Sequence, residues 1–109
     1  MKKLLTLSLT IIAASALSAA AGDAKTTYEQ SCAKCHGAEG KGDTKMGQKL
    51  GAKDFTDAKV QADLKDDAAF KAIKDGLKDK DAKTLMKPAE GLSDGDINGL
   101  VAYLRTFKK

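Results

Sequence analysis

Cys32-Ala33-Lys34-Cys35-His36 is the stretch that decides how the rest of this sequence is read. Its C-x-x-C-H spacing is the attachment signature of a c-type haem, and the chain's single histidine completes it. If residues 23–35 are helical, Cys32, Cys35 and His36 stand at i, i+3 and i+4 and share one face. Two thiols can then add to the two vinyl groups of one porphyrin while the imidazole reaches the iron from the same side.

Other uses of the pair fit less well. A structural zinc site takes four protein ligands, normally with a second Cys/His pair, and this chain has 2 Cys and 1 His. A thioredoxin-like redox pair follows a β-strand in a βαβ unit, and no alternating Val/Ile/Thr run precedes Cys32. A plain Cys32–Cys35 disulfide is the bland alternative.

The chain has 109 residues, one Pro and no Trp, which allows one domain. Residues 1–21 stand apart from it. Lys2 and Lys3 form a charged n-region, Leu4 to Leu17 an apolar h-region, and Ser18-Ala19-Ala20-Ala21 a small-residue cleavage zone, the pattern of a secretory signal peptide that is removed. A retained membrane helix needs about 20 apolar residues, and this run dissolves into Ala and Ser before that. No Cys lies near the cleavage zone to carry a lipid. The expected mature domain is therefore residues 22–109, exported to the periplasm without stable membrane insertion. Because c-type haem is attached outside the cytoplasm, export and the C-x-x-C-H motif support each other.

A domain of this size buries a small core and is often helped by a cofactor. Its aromatics are Tyr28, Phe55, Phe70, Tyr103 and Phe107 alone. A porphyrin would supply the missing apolar bulk, so the haem-free chain is expected to fold poorly. Removing Lys2 and Lys3 takes the formal charge from +4 to about +2, a balance that argues against a nucleic-acid partner.

Along the chain, Asp23 is a candidate N-cap, and Ala24, Tyr28 and Cys32 repeat at i+4 toward the motif, which predicts a helix over 23–35. Residues 37–51 hold five glycines, too many for a helix; close backbone approach to a flat ligand is their expected use. Asp54-Phe55-Thr56-Asp57 can start a short helical turn, with Phe55 set to pack on a porphyrin rim. Asp66 or Asp67 can cap a helix running to Asp75, with Phe70, Ile73 and Leu77 on its apolar face and Gly76 as its αL terminus. Residues 77–91 read as a long polar connection without structure of its own, a length that usually signals function. It holds Leu85-Met86-Lys87-Pro88, and Met86 is its candidate donor atom. In the last helix, Ser93 and Asp96 resemble a capping box, and Leu92 and Ile97 a hydrophobic staple. Ile97, Leu100, Val101 and Leu104 line one face, with Tyr103 and Phe107 beside it. Gly99 costs helix propensity, and a close crossing with the first helix near Ala24 to Tyr28 would account for it.

Taken in this order, the residues resemble a class I cytochrome c, a small soluble monohaem protein. The likeness spans the mature chain: a Tyr-bearing helix into Cys32-x-x-Cys35-His36-Gly37, the Gly40-Lys41-Gly42-Asp43 loop, a helix ending Lys74-Asp75-Gly76, a Met/Pro loop, and a closing Leu92-Ser93-Asp94-x-Asp96-Ile97 helix with Tyr103. It implies an all-α fold of three to five helices around one covalent haem c. Cys32 and Cys35 would carry the thioethers, His36 the proximal iron position and Met86 the distal one. Met46, ten residues past His36, is expected to pack instead. Two departures stand out: Lys87 intervenes between Met86 and Pro88, and no Pro lies near the haem motif to offer His36 a backbone carbonyl.

The resemblance implies a single-electron carrier rather than an enzyme, since His/Met ligation leaves no open iron position. A peroxidase-like haem enzyme or a gas sensor with a labile or open sixth position is the alternative, and the sequence offers it no distal His. The implied partners are redox proteins: a membrane quinol-oxidising complex, a terminal oxidase or a periplasmic oxidoreductase, met by a monomer. Lys41, Lys45, Lys49, Lys53, Lys83 and Lys87 could ring a haem edge and steer it to an acidic face. The competing reading is that Lys is simply spread over a Lys-rich chain.

Overall fold

Two helices from opposite ends of the chain cross to make the frame. The computed structural model describes residues 15–109, with side chains from Asp23 onward. Its elements are α1 (Ser15–Ser31), α2 (Ala33–His36), α3 (Lys45–Leu50), α4 (Ala58–Asp63), α5 (Asp66–Asp75), β1 (Leu77–Lys78), β2 (Thr84–Met86) and α6 (Asp94–Arg105). Among the described residues the expected all-α architecture is present as six helical segments, against the three to five expected, plus one small hairpin. The expected signal peptide, residues 1–21, falls mostly outside the described residues. Among these, no helix is long and apolar enough to cross a membrane.

Helix α6 starts where its capping residues dictate. Ser93 Oγ accepts from the Asp96 amide at 3.1 Å, and an Asp96 carboxylate oxygen accepts from the Ser93 amide at 3.1 Å, so two otherwise orphaned donors are satisfied reciprocally. Ile97, Leu100, Val101 and Leu104 are buried on the face the periodicity marked, and Leu92 packs on the same cluster. Against this face α1 places Ala24 and the fully buried Tyr28. Gly99 does face α1, but a methyl there would sit 3.7 Å from the Ala24 Cβ, an ordinary contact. The crossing is close without demanding glycine.

Helix α5 differs from expectation at both ends. Asp66 and Asp67 lie inside its first turn, where they complement the helix dipole, and its N-cap is Lys65. Leu77 has left the helix for β1 and is 47% exposed, so the buried face is Ala69 and Ile73, with Phe70 packed at its edge. Gly76 is needed, though not as an αL cap. At φ 77° and ψ −178° it occupies a region essentially closed to other residues, and a Cβ would lie 2.5 Å from the Met86 carbonyl oxygen.

That contact is possible because residues 77–91 do have structure. β1 pairs antiparallel with β2, Leu77 opposite Met86 and Lys78 opposite Thr84. Asp79 shapes the turn, its Oδ1 accepting from the Asp81 and Lys83 amides at 2.9 Å each. Beyond β2, the Ala89 amide donates to the Ile73 carbonyl at 2.9 Å, closing the segment back onto α5.

Candidate haem-attachment site

The motif sits at a broken corner between α1 and α2. The predicted helix over 23–35 stops at Ser31 and restarts at Ala33. Backbone bonding nevertheless runs through the break: the Cys32 amide donates to the Tyr28 carbonyl at 2.8 Å, and the His36 amide to the Cys32 carbonyl at 3.0 Å. Cys32, Cys35 and His36 therefore keep their helical i, i+3, i+4 relation.

Both cysteines are free, half-buried thiols, and no disulfide joins them. Burial, with the Cys35 thiol adding to it, pushes the Cys32 thiol above its ordinary pKa. A redox-active attacking thiol needs the opposite shift. The His36 imidazole is held below its ordinary pKa by burial, which favours the neutral form that serves as a metal ligand. Its Nδ1 is buried without a hydrogen-bond partner. Two thiols one turn apart and an imidazole beside them fit the donor set of a covalent haem: sulfur for the vinyl carbons and the imidazole Nε2 for the iron, with Nδ1 left on the protein side.

The surroundings hold the motif from three sides. Tyr28 donates its phenol proton to the Gly37 carbonyl at 2.6 Å, and its ring packs against Tyr103 and Phe107, with centroids 5.2 Å away in each case. Thr44 Oγ1 donates to the Cys35 carbonyl at 2.7 Å while accepting from the Gly47 amide at 2.9 Å, so one hydroxyl ties the second cysteine to α3 and caps that helix. Here the glycine-rich stretch departs from expectation twice. It contains a helix, and Gly47 lies inside α3 because a Cβ there would collide with the Cys35 carbonyl oxygen. Gly40 is flat against protein rather than ligand: a Cβ would come 2.6 Å from the Phe107 ring.

Phe55 is buried, and the group beside it is the His36 ring, 5.3 Å between centroids and tilted 30°. Met86, at the end of β2, is half-buried and packs on the same apolar cluster as Cys32 and Ala33. Met46 does not pack; it is 37% exposed. It shares an open groove of about 400 Å³ with Lys34, Thr44, Lys45 and Lys49. Of the lysines expected to act together, Lys45 and Lys49 line that groove, whereas Lys41 is paired with Glu39 at 3.1 Å.

Two residues of the site escaped the sequence reading. Gln61 is buried and donates through Nε2 to the carbonyls of Phe55 at 2.6 Å and Leu104 at 2.8 Å. Arg105 donates to Gln61 Oε1 at 2.9 Å and to the Gln61 carbonyl at 2.7 Å. A polar residue in a short helix carries no periodic signal of burial, and only its tertiary partners reveal it.

A small helical domain built on a C-x-x-C-H corner, with both cysteines and the imidazole on one helical face, is a c-type haem protein by class. The comparisons agree: the family model for cytochrome c matches residues 21–108. The chain belongs to the cytochrome c family, and Cys32 and Cys35 are its attachment spacing for one covalent haem c. It is similar to cytochrome c-554(547) of Halothiobacillus neapolitanus, 34% identical over 97 residues that cover 81% of this chain and all of the relative. Among solved structures it is similar to the KustC0563 c-type cytochrome, with TM-score 0.69 and 34% identity over 80% of this chain and 99% of that one. A Tyr-to-Phe mutant of Kustc0563 matches with TM-score 0.66 and 32% identity, over 79% and 99% of the respective chains.

Proposed function

We propose that this protein is an exported, periplasmic single-electron carrier whose haem iron is held axially by His36 and Met86. The observation that carries this reading is the C-x-x-C-H corner itself, in which Cys32, Cys35 and His36 keep a helical i, i+3, i+4 relation and are held by α1, α3 and the Phe55 segment. Haem c, when bound, supplies a reversible one-electron couple.

The chain's own residues have the remaining tasks. Cys32 and Cys35 fix the cofactor's position covalently, and His36 and Met86 hold the iron through a nitrogen and a thioether, a combination that raises the potential. Tyr28 and Phe55 belong to the buried apolar cluster against which Cys32 and Met86 pack. Carriers of this kind need no proton donor or nucleophile. The partners are redox proteins with acidic faces: Lys34, Lys45 and Lys49 put three cations around the exposed Met46, an arrangement suited to electrostatic steering with an apolar centre.

The test is a haem stain of the exported protein on a denaturing gel. Wild type should show a covalently stained band. A Cys32→Ser, Cys35→Ser double variant should lose both the band and cooperative melting by circular dichroism. An unstained wild-type band would contradict this reading, and native-like melting of the double variant would overturn the expectation that the haem-free chain folds poorly.

A further inference from the structure

We infer that Phe55 is a positioning residue for the proximal ligand, setting the rotation of the His36 imidazole about its bond to the iron; this rests on the haem-carrier reading above. An imidazole bound to a metal through one nitrogen is free to turn about that bond unless its other nitrogen is hydrogen-bonded or its ring is packed. With the iron on Nε2, no protein group supplies the first restraint, because His36 Nδ1 is buried without a protein partner. The second is present. The Phe55 ring lies 5.3 Å from the His36 ring at a 30° tilt, inside the separation at which aromatic pairs attract in offset geometry.

The Phe55 ring can act as a stop only if it is itself held. Its main chain is fixed on both sides: the Phe55 amide donates to the Gly40 carbonyl at 2.7 Å, and its carbonyl accepts from Gln61 Nε2 at 2.6 Å. Gln61 is 5% exposed and is anchored in turn to α6 through the Leu104 carbonyl at 2.8 Å and Arg105 at 2.9 Å. The setting of the ligand is thereby tied to the C-terminal helix, far along the chain from the motif that supplies it.

The orientation of an axial imidazole helps decide how unpaired spin spreads over a ferric porphyrin, so the haem-methyl proton resonances and the electron paramagnetic resonance g-values of the oxidised holoprotein read it directly once axially symmetric cyanide has replaced the thioether ligand. Phe55→Leu, which keeps apolar bulk and removes the ring, should reorder the haem-methyl resonances and shift the g-values. Phe55→Tyr, which keeps the ring, should retain the wild-type pattern. Gln61→Met leaves the ring and loosens its clamp, and should move the pattern in the same sense as Phe55→Leu; it decides the matter if Phe55→Leu yields no folded holoprotein. A wild-type pattern in Phe55→Leu, or in Gln61→Met where that variant must decide, overturns the inference while leaving the carrier reading intact. A wild-type chain without covalent haem overturns the carrier reading and this inference with it.

Discussion

Tyr28 and Gly37 are joined by a 2.6 Å hydrogen bond, phenol to carbonyl, that spans the whole haem-attachment corner. The residue that follows the histidine is thereby pinned to α1, and the bond is fully buried. Removing the hydroxyl in Tyr28→Phe keeps the ring and leaves the Gly37 carbonyl with only its other donor, the Gly40 amide at 3.1 Å, so the expected loss is roughly 0.5–1.5 kcal/mol. Tyr28→Ala also opens a cavity beside Tyr103 and Phe107, and should lose roughly 3–5 kcal/mol. Chemical denaturation of the two holoprotein variants checks the order.

The same phenol has a pH signature. Burial foremost, then the neighbouring Cys32 and Tyr103 groups, raises the Tyr28 pKa well above its ordinary 10.0. The folded state therefore keeps a proton that the unfolded state releases. The associated stability is fully present below pH 10 and falls as pH rises beyond it. Tyr28→Phe should show a shallower alkaline decline than wild type in stability measured against pH; parallel declines would show that the phenol contributes nothing.

Gly76 controls the segment that carries Met86. Its positive φ of 77° and the 2.5 Å approach of a Cβ to the Met86 carbonyl oxygen leave no room for alanine. Gly76→Ala should destabilise the fold by about 1–3 kcal/mol and displace Met86, weakening the thioether–iron charge-transfer band. An unchanged band would mean that the hairpin does not set the position of Met86.

Gly99→Ala should do the opposite. Its methyl would meet the Ala24 Cβ at 3.7 Å, an ordinary contact, and the gain in helix propensity is about 1 kcal/mol. Thermal melting of the holoprotein should rise; a fall would mean that α1 and α6 need a closer approach than the one described.

Charge reversal at Lys45 and Lys49 should slow association with an acidic redox partner by about tenfold at low salt and flatten its salt dependence. Reversal at Lys83 and Lys87, outside the Met46 groove, should do less. Equal effects would indicate a diffuse charge rather than a patch.

What the sequence could reveal followed from whether a feature was local. The C-x-x-C-H corner, the Ser93–Asp96 capping box and the apolar face of α6 depend on near neighbours, and each is where its residues put it. Glycine was the least readable residue. The count in 37–51 argued against a helix, yet Gly47 is inside α3 because of a carbonyl twelve residues away, and Gly40 faces the Phe107 ring from the other end of the chain. Leu77 fitted a helical stripe until the Gly76 backbone turned it into β1. Gln61 and Arg105 were unreadable because their partners, the carbonyls of Phe55, Gln61 and Leu104, are tertiary.

The proposed axial pair of His36 and Met86 is tested most directly by the optical spectrum of the purified holoprotein, oxidised and reduced, with carbon monoxide added to the reduced form and Met86→Ala measured alongside. A carrier with this pair shows a low-spin c-type spectrum indifferent to carbon monoxide, with a thioether–iron charge-transfer band that disappears in Met86→Ala. A wild-type spectrum that is high-spin and shifts with carbon monoxide would contradict it, and would mean an iron open to ligands.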